Sequence, residues 1–407
     1  MDDQKCGTIS HYESICRRRK SACLDRNRED ANEGFILTDH TLQAGRTVDS
    51  RLLLGPDATP HDWPHMQFTH KNAENGAVTS AAISPNGKWL AASFDDVFVT
   101  IWRLCDGRVL QNLDDDGHND TIWTIAWDPD GTSLASGSAD HDVIVWDVAS
   151  GQIVHKLEGH ESDVTALAYT PDGIILASGA ADAEVRLWDV ETGDLKAKLA
   201  GHTIGITHVL FSQDSTRLAA CTDLGVTLWD PRTSQRAVEL HGHTSAVWAA
   251  ALAAQSDRLV TGSEDMSARV WSADDGTELV TLQEHTGAVW AVAFSPDGSQ
   301  VATGSYDGQV IVCDSWTGKC LHAFGKQLTK PAEAVAYSTN GRLIAAGSAD
   351  GHVRVWDARS GEAIAEFEGH EEKVKKVMFT PDDGELVSVA EDGTIRAWGI
   401  SDVLSLL

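Results

Sequence analysis

The sequence has no apolar stretch near the roughly 20 residues that a membrane-spanning helix needs. It also has no apolar segment beside Arg17-Arg18-Arg19-Lys20 that would make a signal peptide. Membrane insertion is therefore not expected, and the chain reads as soluble and intracellular, in the cytoplasm or alternatively the nucleus. Positive charge is scarce: 32 Lys and Arg against 61 Asp and Glu leave a formal net charge of −29. Such a field repels phosphate backbones and anionic lipid, which disfavours nucleic acid and membrane surfaces as partners. The acidity fits either a plain solubility role or a high-salt setting, which the salt dependence of stability separates. Cysteine is sparse and odd in number, seven in all, and Cys6, Cys16 and Cys23 have neither CxxC spacing nor a paired His motif. Reduced thiols and no bound metal are expected. No GxxxxGK[ST] loop, HExxH helix or single convergent acid–base cluster occurs, so no catalytic residue, cofactor or small-molecule substrate is expected and the protein reads as a non-enzyme.

What the chain has instead is a repeat of roughly 42 residues, the length of a four-stranded propeller blade, recurring eight times. Each copy ends a short apolar run on one anchor: Trp102, Trp146, Trp188, Trp229, Trp271, Cys313, Trp356 and Trp398. Upstream of six anchors lies Gly-His or a variant, at His118, His160, His202, His243, His285 and His370. Between these marks come hairpin signals. Pro129-Asp130-Gly131 and Pro296-Asp297-Gly298 combine fixed φ, a turn-tolerant Asx and a glycine free to take positive φ. Asp307-Gly308 and Asp392-Gly393, six residues before their anchors, are two-residue hairpin signals. Runs such as Val143-Ile144-Val145 are β-branched, and no helical period is sustained.

The fold expected is all-β, a propeller of eight four-stranded blades over residues 61–407, with seven blades as the alternative. Residues 1–60 lack the repeat and read as a disordered tail, in which Arg17 to Lys20 is either a solvated charge run or a nuclear localisation signal. After Trp398 there is no room for a fourth strand before Leu407. Met66 to His70 is therefore expected to supply the outer strand of the last blade and clasp the ring shut.

Gly-His, a turn Asp and Trp-Asp at this spacing resemble the WD40 repeat family over about residues 66–398. The resemblance implies a hydrogen-bonded tetrad in each complete copy: His118, Ser136, Asp140 and Trp146; His160, Ser178, Asp182 and Trp188; His243, Thr261, Asp265 and Trp271; His370, Ser388, Asp392 and Trp398. The fourth copy has Ala220 in the hydroxyl slot, the sixth has Cys313 for Trp, and the first and seventh keep only Asp and Trp. Those four blades are expected to be less rigid. A buried His and Asp make sense only as linked networks, and their repetition argues against a hydrolase triad.

The resemblance also marks slots that meet partners on one face of the ring. Mapped here they include Asp95, Trp123, Thr222, Trp248, Glu264, Trp290, Tyr306, Lys373, Lys375 and Glu391. Trp248, Trp290 and Tyr306 pool in adjacent copies beside Glu264, which suits a basic residue of a partner, with Trp123 across the ring. The alternative is that these tryptophans are core. Trp127, Tyr169, Phe211 and Phe294 recur in one strand slot as packing between blades. The function implied is a non-catalytic signalling scaffold that presents a propeller face to a protein or peptide. The alternative is a substrate receptor of a cullin-type ubiquitin ligase, docking through Arg232 and Arg359 in two elements that resemble WDxR.

Overall fold

The computed structural model describes residues 77–400 apart from 96, 115, 116, 325–327 and 329, together with the backbone of His65–Thr69. Expectations for residues 1–60, including the basic run and Cys6, Cys16 and Cys23, lie outside the described residues, as does His70.

The turn signals and β-branched runs fold into eight antiparallel four-stranded sheets, with no helix among the described residues. In blades one to seven the strands follow chain order from one edge to the other. The first strands are Val78–Ile83, Ile122–Trp127, Val164–Tyr169, Ile206–Phe211, Val247–Leu252, Val289–Phe294, Ala332–Tyr337 and Val374–Phe379. Each packs beside the first strand of a neighbouring blade, which makes these the inner strands around a central channel. The last blade takes its outer strand from the other end of the propeller: His65–Thr69 pairs antiparallel with Thr394–Gly399, with His65 opposite Trp398. The clasp is thus formed as expected, one residue earlier, and the ring has eight blades rather than seven. Closure covers the apolar faces that the first and last blades of an open array would expose, with Leu90 and Ala92 of blade one packed on Val387 and Val389 of blade eight.

The core is divided into eight apolar clusters, each between two consecutive blades. Val143, Val145 and Leu157 of blade two meet Tyr169, Leu176 and Trp188 of blade three, for example. The middle strands are buried on both faces, which is why they read as continuous apolar runs rather than alternating ones. Trp127 and Tyr169 are buried as expected, and Trp127 Nε1 donates to the Ala82 carbonyl of blade one at 3.0 Å.

One position sets how closely blades approach. Opposite the third residue of each inner strand stands Gly137, Gly179, Gly262, Gly304 or Gly347 in five blades. A Cβ on Gly179 would lie 2.5 Å from Ile206 Cγ2 of the next blade, and one on Gly347 2.5 Å from Val374 Cγ1. In blades four and eight the pairs are enlarged to His208 with Cys221 and Lys376 with Val389. Overpacking there holds the neighbour off: the inner strands pack less closely between blades four and five and between eight and one than at the other junctions. The ring therefore has two looser seams on opposite sides.

Candidate partner-binding face and the networks beneath it

Beneath one face of the ring lie the expected tetrads. In blade two, Trp146 Nε1 donates to Ser136 Oγ at 2.8 Å, and the same hydroxyl lies 2.8 Å from His118 Nε2. His118 Nδ1 is 2.9 Å from Asp140 Oδ2. Blade three repeats this with Trp188–Ser178 and His160–Ser178 at 2.8 Å and His160–Asp182 at 2.8 Å. Blade five has Trp271–Thr261 at 2.8 Å, His243–Thr261 at 2.7 Å and His243–Asp265 at 2.9 Å. Burial lowers the pKa of His160, His243 and His285, although the neighbouring aspartate works the other way. The ring is then neutral: Nδ1–H donates to the carboxylate, and Nε2 accepts from the hydroxyl. Burial works to raise Asp140 and Asp265, yet hydrogen bonds from His118 and from Ser267 and His243 hold both at about 2.

Two tetrads depart from expectation. In blade eight His370 does not bond Asp392, which is 3.8 Å away. Its Nδ1 meets Thr394 Oγ1 at 2.6 Å, and that hydroxyl donates to Asp392 at 2.5 Å. The Ser388 links are intact, 2.7 Å to His370 and 2.8 Å to Trp398. In blade four the hairpin is one residue shorter, so that Thr222 pairs with Gly225. Thr222 is thereby a buried strand residue opposite Ile206, not the face residue expected, and Asp223 does not reach His202. With Ala220 in the hydroxyl slot, His202 Nε2 and Trp229 Nε1 are both buried without a hydrogen-bond partner among the described residues.

The remaining incomplete sets are compensated to different degrees. Blade six keeps His285–Thr303 at 2.7 Å and His285–Asp307 at 3.1 Å, and Cys313 fills the Trp slot. Blade seven is apolar where the network would be: Leu328 and Ala346 are buried, Phe324 stacks on Trp356 at 4.8 Å, and Asp350 pairs with Arg354 at 3.0 Å. Arg354 also holds Glu366 at 2.7 Å, within a group with His352 and Glu368 that would otherwise suit a cation. Of these blades, blade four has both the His and the Trp ring nitrogen of its network orphaned.

Outside blade four, the residue before each hairpin turn is tied to the rim by its backbone. Its N–H donates to the carbonyl of the residue leading into the inner strand: Asp95 to Ala77, Ala139 to Thr121, Glu264 to Ala246, Tyr306 to Ala288 and Glu391 to Lys373, at 2.9–3.0 Å in all but the Glu264 bond, which is 2.8 Å. The slots marked in the sequence are therefore brought together in pairs on one face. Trp290 and Tyr306 meet edge to face at 5.1 Å, and Tyr306 is 59% exposed. Trp123, Trp248 and Trp290 are half-buried, neither free rim residues nor core. Trp123 lies in blade two, opposite blade six in a ring of eight. Exposed Glu264 accepts from Ser245 Oγ at 2.6 Å. Lys373 and Glu391 form an exposed pair at 3.6 Å, beside exposed Lys375.

Two contributors to this face were missed in the sequence. Leu224 is 73% exposed and Met266 49% exposed, each on the hairpin turn of its blade. Met266 has φ 69°, at the position where Gly308 and Gly393 supply positive φ without a side chain. An apolar residue in that slot was the available signal. Blades four, five and six thus each lift one large apolar side chain onto the same face.

On the opposite face, Asp230 and Asp357 cap their turns, accepting from the backbone N–H of Arg232 at 2.8 Å and of Arg359 at 3.0 Å. Both arginines are exposed.

Comparison with known proteins gives a consistent family. The family "WD domain, G-beta repeat" matches eight consecutive segments, residues 65–102, 107–147, 151–189, 193–230, 234–272, 276–314, 318–357 and 361–399. A crystal structure of the computationally designed Ika8 protein is similar at 30% identity and TM-score 0.70, covering 82% of this chain and 98% of that one. The ribosome biogenesis protein ERB1 of Coccidioides immitis is 28% identical over 121 residues, 28% of this chain and 13% of ERB1. The erb1 protein of Aspergillus clavatus is 28% identical over 105 residues, 25% of this chain and 12% of erb1. The chain thus matches about an eighth of the length of these curated relatives.

Proposed function

Since this chain belongs to the WD40 repeat family, we propose that it is a non-catalytic protein-interaction scaffold whose working surface is the rim of blades four to six. The observation that carries this is the convergence of Leu224, Met266 and Tyr306, exposed on three adjacent hairpin turns, with half-buried Trp248 and Trp290. Large exposed aromatics held by a rigid frame are the side chains most enriched in binding hot spots. Glu264 places negative charge at the edge of the patch, so the partner segment carries apolar anchors next to a lysine or arginine. Trp123 offers a second contact, and the Lys373–Glu391 pair and Asp95 form polar rim. A stable complex on this face would bury about 1,600 Å² in total.

The likeness to ribosome biogenesis proteins over a quarter of the chain fits a scaffold inside a multiprotein assembly. The cytoplasm, or alternatively the nucleus, is the proposed location. The test is affinity purification with mass spectrometry from the native cell, wild type against a Trp248→Ala, Trp290→Ala, Tyr306→Ala variant shown to be folded. Hot-spot residues are worth about 2 kcal/mol or more each, so capture of the specific partner should fall at least about 30-fold. An unchanged partner list overturns the assignment of the patch.

A further inference from the structure

The third residue of each inner strand is small in six blades, from Ser80 and Thr124 to Ala334, but is His208 in blade four and Lys376 in blade eight. Blades four and eight stand opposite one another in a ring of eight, and the charge of Lys376 reaches His208. Both side chains are solvent-exposed although they start from inner strands, so they project into the central channel. Room for them comes from the two seams: their cross-strand partners are Cys221 and Val389, and the adjoining inner strands stand further off.

In a chain of net charge −29 these two basic groups meet no acid among the described residues. Lys376 Nζ donates to the Ala81 carbonyl at 2.7 Å, leaving two N–H donors, and no carboxylate among the described residues pairs with it. His208 Nδ1 lies 3.2 Å from Thr207 Oγ1, leaving Nε2 toward the channel. The strands packed against that of His208, Val164–Tyr169, Leu218–Thr222 and Val247–Leu252, carry no charged side chain. Cys221, directly across from it, has its thiol pushed up to about 12 by burial and is uncharged. Crowding by protein lowers the pKa of Lys376, and crowding followed by the Lys376 charge lowers that of His208.

We propose that the central channel is an anion site, in which a small tetrahedral oxyanion of the sulfate and phosphate class binds between His208 and Lys376 and bridges blades four and eight. An ammonium and an imidazolium converging without a counter-charge supply the strong, charge-assisted donors that such an ion accepts. Two like charges facing one another destabilise each other, and an anion between them reverses that sign. Binding is therefore coupled to protonation of His208.

The test uses the full chain and sulfate, whose charge is fixed between pH 5 and 8. Sulfate should raise the titration midpoint of the His208 ring protons followed by NMR. By calorimetry it should bind about ten-fold more tightly at pH 5 than at pH 8. His208→Gln should remove that pH dependence, and Lys376→Met should weaken binding by about ten-fold or more. A His208 midpoint that sulfate does not move overturns the proposal, as does Lys376→Met binding sulfate like wild type. If Lys376→Met fails to fold, His208→Gln, which breaks no bond between blades, carries the test alone: pH dependence unchanged from wild type overturns the site.

Discussion

Replacing Ala220 by Ser should stabilise the protein, because blade four already holds the two groups that the missing hydroxyl would join. Ala220 is fully buried and stands opposite Val209, as Thr261 of blade five stands opposite Ala250. The His202 and Trp229 rings are 6.1 Å apart with neither ring nitrogen satisfied at Nε2 or Nε1. In blade five the His243 and Trp271 rings are 6.0 Å apart, and one hydroxyl serves both nitrogens at 2.7 and 2.8 Å. The spacing that a bridging hydroxyl needs is therefore already present. Each hydrogen bond recovered contributes about 0.5–1.5 kcal/mol net. Allowing for the desolvation of the new hydroxyl, Ala220→Ser should gain about 1–2 kcal/mol. Ser178→Ala in blade three is the mirror image, and by orphaning His160 Nε2 and Trp188 Nε1 it should lose about 1–3 kcal/mol. The assay is the urea midpoint at constant slope, together with hydrogen exchange of the Trp229 indole, which should slow in Ala220→Ser. A lowered midpoint with unchanged indole exchange would refute the view that blade four is frustrated by unmet hydrogen bonds.

Acid should destabilise the fold in a defined window. Burial lowers His160, His243, His285 and His370 below the ordinary histidine value, His370 to about 4. The unfolded chain thus takes up protons first, and the stability present above about pH 6.5 is lost as pH falls toward 4, with His370 alone worth about 3 kcal/mol. Denaturant midpoints between pH 8 and 4 check this, and a flat profile contradicts the neutral tetrads; Asp140 and Asp265 would extend the loss below pH 4. Gly179→Ala should cost about 1–3 kcal/mol in the same assay, because its Cβ would lie 2.5 Å from Ile206 Cγ2. Met266→Gly should relieve a left-handed conformation at φ 69° and gain about 0.5–1 kcal/mol, while capture of the partner in a pull-down weakens. Gain on both counts would remove Met266 from the binding face.

The blade count, the hairpin turns and the clasp were legible in residue order, because a repeat that cannot bury its own faces must place equivalent residues in equivalent environments, and the family resemblance added most of the networks. Trp146, Ser136 and His118 are joined as the family resemblance implied, and so are their counterparts in blades three and five. The same logic failed where local geometry breaks the period. One residue fewer before Trp229 moved Thr222 off the face and Asp223 away from His202, and the hydroxyl of Thr394 stepped between His370 and Asp392. A one-residue change in a turn shows in the sequence only as a count, and which residues it moves off the face is decided when the strands pair.

What lies across the ring or between blades is set by tertiary packing. Leu224, Met266 and Tyr306 are at least 40 residues apart in pairs, yet they share one face because successive blades rotate about a common axis. His208 and Lys376 are separated by half the ring in sequence and face one channel for the same reason. Periodicity fixes what each blade contains, since it encodes local environment. Closure of the ring fixes which blades meet, since that depends on every junction at once, including the two seams where Cys221 and Val389 stand in place of glycine.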